Sequence, residues 1–217
     1  MITIFDLDDT LYDESTYVES CLKAVSVWLE TNLLLPADDC FGFMMDTLRT
    51  EGRGYIFDRL LDNYGLISKS RILACRRVYR SHVPNIWLYP DAVQILRDLS
   101  NKPLYLVTDG NKIMQENKIS ALRLWPYFKK VFITYRYGCK YAKPSLHCFE
   151  IIKNREECRW AEMVYVGDDP AKDFVSLNRV GANTIRIMKG RHSTVQAKAG
   201  FDGKGKISCL RDLRHFL

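Results

Sequence analysis

A doubly wound α/β fold, with a parallel sheet covered by helices on both faces and a small helical module inserted in it, is predicted for this 217-residue chain by three observations. The first is the apolar, β-branched run Ile2 to Phe5, long enough for a buried parallel strand and ended abruptly by carboxylates. The second is a regular alternation, from Pro90 onward, of short apolar runs with helix-period segments. The third is the stretch between them, residues 15–88, whose apolar residues recur at helical spacing only.

Taken in order, Ser15 is placed to cap a helix carrying Val18, Leu22, Val25 and Leu29, closed by Leu33-Leu34-Leu35-Pro36. Asp38 or Asp39 is placed to cap a second, with Phe41, Met44, Met45 and Leu48 on its apolar side. Gly52-Arg53-Gly54 interrupts the helical pattern before a third helix, Tyr55 to Tyr64, which stops at Gly65. A fourth starts at Ser68 and carries Ile72, Cys75 and Tyr79, so the segment reads as a small helical bundle. The alternation then gives a helix from Asp91 to Leu99, a strand from Leu104 to Val107, a helix from Lys112 to Leu122, a strand from Val131 to Thr134 and a helix from Ser145 to Lys153. It closes with a strand from Met163 to Val166, a helix from Ala171 to Val180 and a strand from Thr184 to Met188. Residues 190–205 read as an exposed loop, and Ser208 to Phe216 as a last helix. Residues 1–14 and 89–217 would form one Rossmann-like core, with ligands at the carboxyl ends of its strands, and residues 15–88 a separate helical domain.

Composition is that of an ordinary globular protein, 47% hydrophobic and 27% charged. No apolar run approaches the length of a membrane span, and the N-terminus has neither a basic region nor an apolar signal segment, so no membrane association and a cytoplasmic location are expected. The seven cysteines are scattered without a Cys-x-x-Cys pair, which suits free thiols in a reducing compartment; Cys139, His147 and Cys148 fit no zinc spacing. Asp6, Asp8, Asp9, Asp13 and Glu14 put −5 on the first fourteen residues, so with a formal total of +6 the remainder carries +11. A basic exterior around an acidic centre suits an anionic substrate and a divalent cation, and a merely solvated basic surface would look the same. The basic residues are spread out and match no nucleic-acid motif, so no nucleic acid is expected as a partner.

The chemistry starts at Asp6-Leu7-Asp8. A strand delivers both acids to one end of a sheet, where two close carboxylates repel and call for a cation or a shared proton. One can act as nucleophile and the other as proton donor; an acidic surface turn is the plain alternative.

Later segments bear on that choice. Leu104-Tyr105-Leu106-Val107 runs into Thr108-Asp109-Gly110-Asn111; Lys143-Pro144 opens the helix-like Ser145 to Lys153; and Val164-Tyr165-Val166-Gly167-Asp168-Asp169-Pro170-Ala171-Lys172-Asp173 is a strand ending in Gly-Asp with another Asp five residues on. With Asp6-Leu7-Asp8-Asp9-Thr10-Leu11, these resemble, in order, the four motifs of the haloacid dehalogenase superfamily of hydrolases, and the resemblance reaches from Ile2 to about Asp173.

That resemblance implies its phosphatase branch with a helical cap between the first and second motifs, here residues 15–88. It implies that Asp6 attacks phosphorus to give an aspartyl phosphate, while Asp8 protonates the leaving oxygen and then activates water. Thr108, the backbone N–H groups of Asp109 and Gly110, and Lys143 would hold the phosphate. Mg2+ would lie between the Asp6 carboxylate, the Asp8 backbone carbonyl, Asp168 and water, with Asp173 as a support or ligand. Asp169 would contact a metal-bound water or cap the next helix. Arg53, in a bend of the cap, would read an anionic group of the leaving part and so set specificity; a connecting turn whose Arg points to water is the plain alternative. The substrate implied is a small phosphorylated metabolite, a sugar phosphate or sialic-acid-type phosphate first and a nucleotide next. A phosphomutase shares all these residues, a dehalogenase lacks the acid at the Asp8 position, and a phosphate- or partner-binding module is the non-enzymatic alternative.

Overall fold

The computed structural model describes residues 1–217, and the chain divides into two compact units, Met1–Glu14 with Trp87–Leu217, and Ser15–Ile86. The first strand, β1 (Ile2–Phe5), leads into four consecutive helices, α1 (Glu14–Leu33), α2 (Ala37–Glu51), α3 (Ile56–Asn63) and α4 (Lys69–Ser81). Val18, Leu22, Val25 and Leu29 of α1 are all buried, as helical spacing requires, and Met44, Leu60, Leu61 and Cys75 of the other three helices are fully buried. Ser68 caps α4 by accepting the Arg71 N–H at 3.3 Å. The other two caps differ from expectation. Helix α1 begins at Glu14, so Ser15 lies inside its first turn, and Asp9 accepts the Glu14 N–H at 3.0 Å instead. Helix α2 begins at Ala37, after Pro36, with Asp38 and Asp39 in its first turn, where their charge favours the helix dipole without capping it. No helix of the molecule is long and apolar enough to cross a membrane.

The second run of elements is α5 (Pro90–Asp98), β2 (Leu104–Thr108), α6 (Lys112–Ala121), β3 (Lys130–Ile133), α7 (His147–Arg155), β4 (Met163–Gly167), α8 (Val175–Arg179), β5 (Asn183–Ile187) and β6 (Gly205–Ile207). The strands form one parallel sheet in the order β3-β2-β1-β4-β5-β6, with Phe5 opposite Leu106 on one side and Val166 on the other. This is the doubly wound architecture that the alternation implies. On one face Ile2, Ile4, Tyr105, Val107, Phe132, Met163 and Tyr165 pack with Cys148, Phe149 and Ile152 of α7 and Leu177 of α8. Right-handed crossovers place α5 and α6 on the other. Both faces being covered, β1, β2 and β4 are buried along their whole length, and this is why they read as continuous apolar runs.

Three expectations about the later chain need correction. The helix after β4 starts only at Val175, because Lys172 N–H (3.3 Å) and Asp173 N–H (3.0 Å) both turn back to the Asp169 carbonyl. Residues 190–205 are a surface loop as expected, anchored from below: Arg186 of β5, 1% exposed, donates to the carbonyls of His192 (2.6 Å) and Val195 (2.8 Å) and pairs with Asp202 (3.2 Å). The stretch also leads into β6, three residues too short and too rich in Gly and Lys to show a strand pattern. The closing segment, Leu210–Phe216, is a 3₁₀ helix.

Candidate active site

β1 lies where the strand order reverses, so the crevice at the carboxyl ends of β2, β1 and β4 is the place where such sheets take ligands. Asp6 follows β1 directly and continues its ladder, donating its N–H to the Val166 carbonyl at 2.8 Å. Thr108 ends β2, fully buried, and Asp168 follows β4. A cavity of about 90 Å³ opens here, lined by Asp6, Asp8, Thr108, Asp109, Asp168 and Lys172 among others. The structure thus brings together the residues that the first, second and fourth motifs point to.

Lys143 reaches the same point from the loop before α7. Its Nζ is 2.8 Å from Asp6 Oδ1, 2.8 Å from Asp173 Oδ1 and 3.0 Å from the Tyr165 hydroxyl, which itself donates to Asp173 at 3.1 Å. Burial alone would depress the lysine's pKa, but the carboxylates of Asp173 and Asp6 hold it well above its ordinary value, so it is a fixed cation. Asp173 is a brace for that cation: its second oxygen accepts the Asp169 N–H at 2.9 Å. Gly167 has to be glycine for this, since a Cβ there would stand 2.5 Å from Asp173 Oδ2. Asp109, expected to offer its backbone to phosphate, also uses its side chain: Oδ1 accepts the Lys143 N–H (3.1 Å) and the Thr134 hydroxyl (2.7 Å), fixing the loop that delivers Lys143. Gly110 follows it at φ 136°. Asp169 caps a turn rather than a helix, accepting the Ala171 N–H at 2.9 Å.

Asp8 lines the same cavity as Asp6 but has different partners. Its Oδ1 accepts from the Tyr12 hydroxyl (2.5 Å) and Lys118 Nζ (2.7 Å), and its Oδ2 from the Gln115 amide (2.9 Å). Burial pushes its pKa up, but the Lys118 charge and the hydrogen bonds from Lys118, Tyr12 and Gln115 outweigh that and hold it below the ordinary carboxylate value. The turn that follows the two acids contains Asp9, which sits in the left-handed region at φ 53°. Such a conformation costs a non-glycine residue roughly 1–2 kcal/mol, and Asp9 offsets it by accepting the N–H groups of Glu14 (3.0 Å) and Arg191 (3.2 Å). Gly190 packs flat on that carboxylate, where a Cβ would fall 2.1 Å from Asp9 Cγ.

The acids of Asp6, Asp168 and Asp173 offer oxygens within 4.8 Å of one another. Burial, Asp6 and Asp173 push Asp168 up to about 9; burial, partly countered by Lys143, pushes Asp6 up to about 7. Fully ionised, the three acids would carry more negative charge than Lys143 balances, which is why two of them hold on to their protons without a cation. Hard oxygen donors with excess negative charge fit a hard divalent cation. Asp173 gives Oδ1 to Lys143 and Tyr165 and part of Oδ2 to the Asp169 N–H, so Asp6 and Asp168 are the side chains with more capacity for an ion.

Sequence reasoning missed Lys118, Gln115 and Tyr12 around Asp8, and Arg191 at the cavity. Gln115 and Lys118 are three apart on α6, a helix-face pairing of polar residues that a buried helix makes conspicuous; Arg191 left no signal beyond its place in a basic stretch. Arg53 belongs to the helical unit, exposed in the bend between α2 and α3.

A doubly wound sheet with working carboxylates, a lysine and a threonine at its switch point is the frame of a class of α/β hydrolytic enzymes. The chain belongs to the haloacid dehalogenase-like hydrolase family, whose model matches residues 3–187. A glyceraldehyde 3-phosphate phosphatase of Methanocaldococcus jannaschii is 29% identical over 200 residues, covering 89% of this chain and 87% of its own. One of Methanopyrus kandleri is 28% identical over 204 residues, covering 90% and 87%. Among solved structures, the haloacid dehalogenase-type hydrolase YfnB of Bacillus subtilis, bound to magnesium, shares the fold with a TM-score of 0.69 at 20% identity, over 100% of this chain and 97% of that one.

Proposed function

We propose that the protein is a Mg2+-dependent phosphoric monoester hydrolase that acts in the cytoplasm on a small sugar phosphate through an aspartyl phosphate on Asp6. The observation that carries the reading is the buried Asp6 carboxylate, 2.8 Å from Lys143, with a second, separately held acid two residues on. An Asp6 oxygen attacks phosphorus and the bond to the leaving oxygen breaks, with Asp8 giving that oxygen its proton. Water then attacks the aspartyl phosphate, Asp8 takes its proton, and inorganic phosphate leaves with Asp6 restored. Asp8 rests ionised, and the incoming phosphate's negative charge favours its protonated form. Thr108 Oγ1 accepts from Gln115 at 2.6 Å, so its own hydrogen is directed elsewhere and serves the phosphate, together with Lys143 and the N–H groups of Asp109 and Gly110. Asp6, the Asp8 carbonyl and Asp168 would hold Mg2+, with Asp173 in support through Lys143. The ion supplies charge neutralisation for the transferring group.

A cavity of about 90 Å³ has room for a phosphoryl group and not for a whole metabolite, so the leaving group is selected outside it. The names of the relatives favour glyceraldehyde 3-phosphate as the first compound to try, with hexose, sialic-acid-type and nucleoside monophosphates beside it. Release of phosphate from p-nitrophenyl phosphate, with and without Mg2+, tests the chemistry. EDTA is expected to silence the enzyme and Mg2+ to restore it, Asp168→Ala to raise the Mg2+ requirement or remove activity; full activity in EDTA overturns the metal assignment.

Arg53 is proposed to set specificity from the bend of the helical unit. Arg53→Ala is expected to cost ~1.5–3 kcal/mol in kcat/KM for the best substrate of the panel, the scale of a charged hydrogen bond, and to spare p-nitrophenyl phosphate, which has no remote anionic group. Equal losses on both would indicate a damaged helical unit, and no loss on either would remove Arg53 from recognition.

A further inference from the structure

We propose that Gln115 and Lys118 of α6 are positioning residues for the reaction, confining proton exchange by Asp8 to one oxygen and tying that oxygen to the phosphate-binding Thr108. The inference rests on the phosphatase reading above and adds to it which atom of Asp8 works and what holds it there. Both side chains are 2% exposed. A lysine is almost never buried without a partner, and here the partners are Asp8 at 2.7 Å and Glu14 at 3.4 Å. A carboxylate oxygen has about two lone-pair sites. Oδ1 of Asp8 is filled by Tyr12 and Lys118, whereas Oδ2 accepts Gln115 alone and keeps one site for a proton. Gln115 spends its two N–H donors on Asp8 Oδ2 (2.9 Å) and Thr108 Oγ1 (2.6 Å), so one planar amide fixes the spacing between the acid and the hydroxyl that meets the phosphate.

If these residues served the fold alone, replacing either would change stability without favouring one substrate over another; losing Lys118 strands the carboxylates of Asp8 and Glu14 in either case. Lys118→Met and Gln115→Met separate the two roles. The readout is kcat/KM, which includes leaving-group departure but not the later hydrolysis of the aspartyl phosphate, measured on p-nitrophenyl phosphate and on an alkyl phosphate such as glycerol phosphate. An alkoxide needs the proton from Asp8 and a nitrophenolate hardly does, so misplacing Asp8 costs the alkyl ester far more. We expect Lys118→Met to lower kcat/KM for the alkyl ester by on the order of 10²-fold, at least tenfold more than for the aryl ester, with thermal stability lowered because Asp8 and Glu14 lose their cation. Asp8→Asn should show the same imbalance. Equal losses on the two esters, or none, overturn the proposal; if Lys118→Met fails to fold, Gln115→Met decides by the same comparison. Wild-type protein that releases phosphate from no ester would instead overturn the phosphatase reading, before any variant is compared.

Discussion

Asp6→Asn is expected to abolish phosphate release, by on the order of 10⁴-fold or more, while the protein stays folded. The amide fills the same volume but has no carboxylate oxygen to attack phosphorus, and the neighbouring acids are committed elsewhere: Asp8 is held by Tyr12, Gln115 and Lys118, and Asp173 is locked to Lys143. The stability effect has the opposite sign. Burial lifts the Asp6 carboxyl to about 7, so in the metal-free protein ionising it costs folding free energy, a cost that grows as pH rises from its ordinary value toward 7 and is complete above that. Asparagine lacks this cost. In EDTA the variant should therefore melt at or above the wild-type temperature, with an advantage larger at pH 8 than at pH 5. Near-normal kcat in Asp6→Asn would end the covalent mechanism.

Lys143→Ala should damage both activity and folding. The ammonium is the one cation within 3 Å of Asp6 and Asp173, so its loss removes the charge that steadies nucleophile and phosphate, an effect on the order of 10²–10³-fold in kcat by comparison with other lost electrostatic donors. It also leaves carboxylates facing each other in the interior, where breaking a buried pair costs about 3–5 kcal/mol. Asp6 can take up a proton, so the deficit in denaturant midpoint should shrink as pH falls toward 5. The double variant with Asp6→Asn removes one of the stranded acids; it should recover part of the lost stability and none of the activity. Strictly additive stability losses would show that Lys143 and Asp6 are not coupled.

How much of this was legible from the chain differs by element. The central strands were, because a parallel strand buried on both faces must be apolar throughout, and Ile2–Phe5, Leu104–Thr108 and Met163–Gly167 are. So was the convergence of Asp6, Thr108 and Asp168, since each immediately follows or ends one of those strands and parallel strands share a carboxyl edge. The start of α1 was misread by two positions because its N-terminal N–H finds Asp9 across a left-handed turn, and a cap supplied from five residues away has no local pattern. The shortened α8 was misread because its amphipathic period runs on into a turn that exists to deliver Lys172 and Asp173.

The amino-acid sequence by itself determined the α/β class, the run of helices after β1 and the acids and threonine at strand ends, because these depend on periodicity and on spacing within single segments. Only the tertiary structure decided that Asp6 and Asp8 face different partners, that Asp109 and Asp173 brace Lys143, that Gln115 and Lys118 grip Asp8, and that Arg186 pins the loop bearing Arg191 beside Asp9. Each of these is a contact between residues far apart in the chain or a choice between two directions for one carboxylate. Such contacts are set by which donors burial brings within hydrogen-bonding reach, and no run of neighbouring residues encodes that.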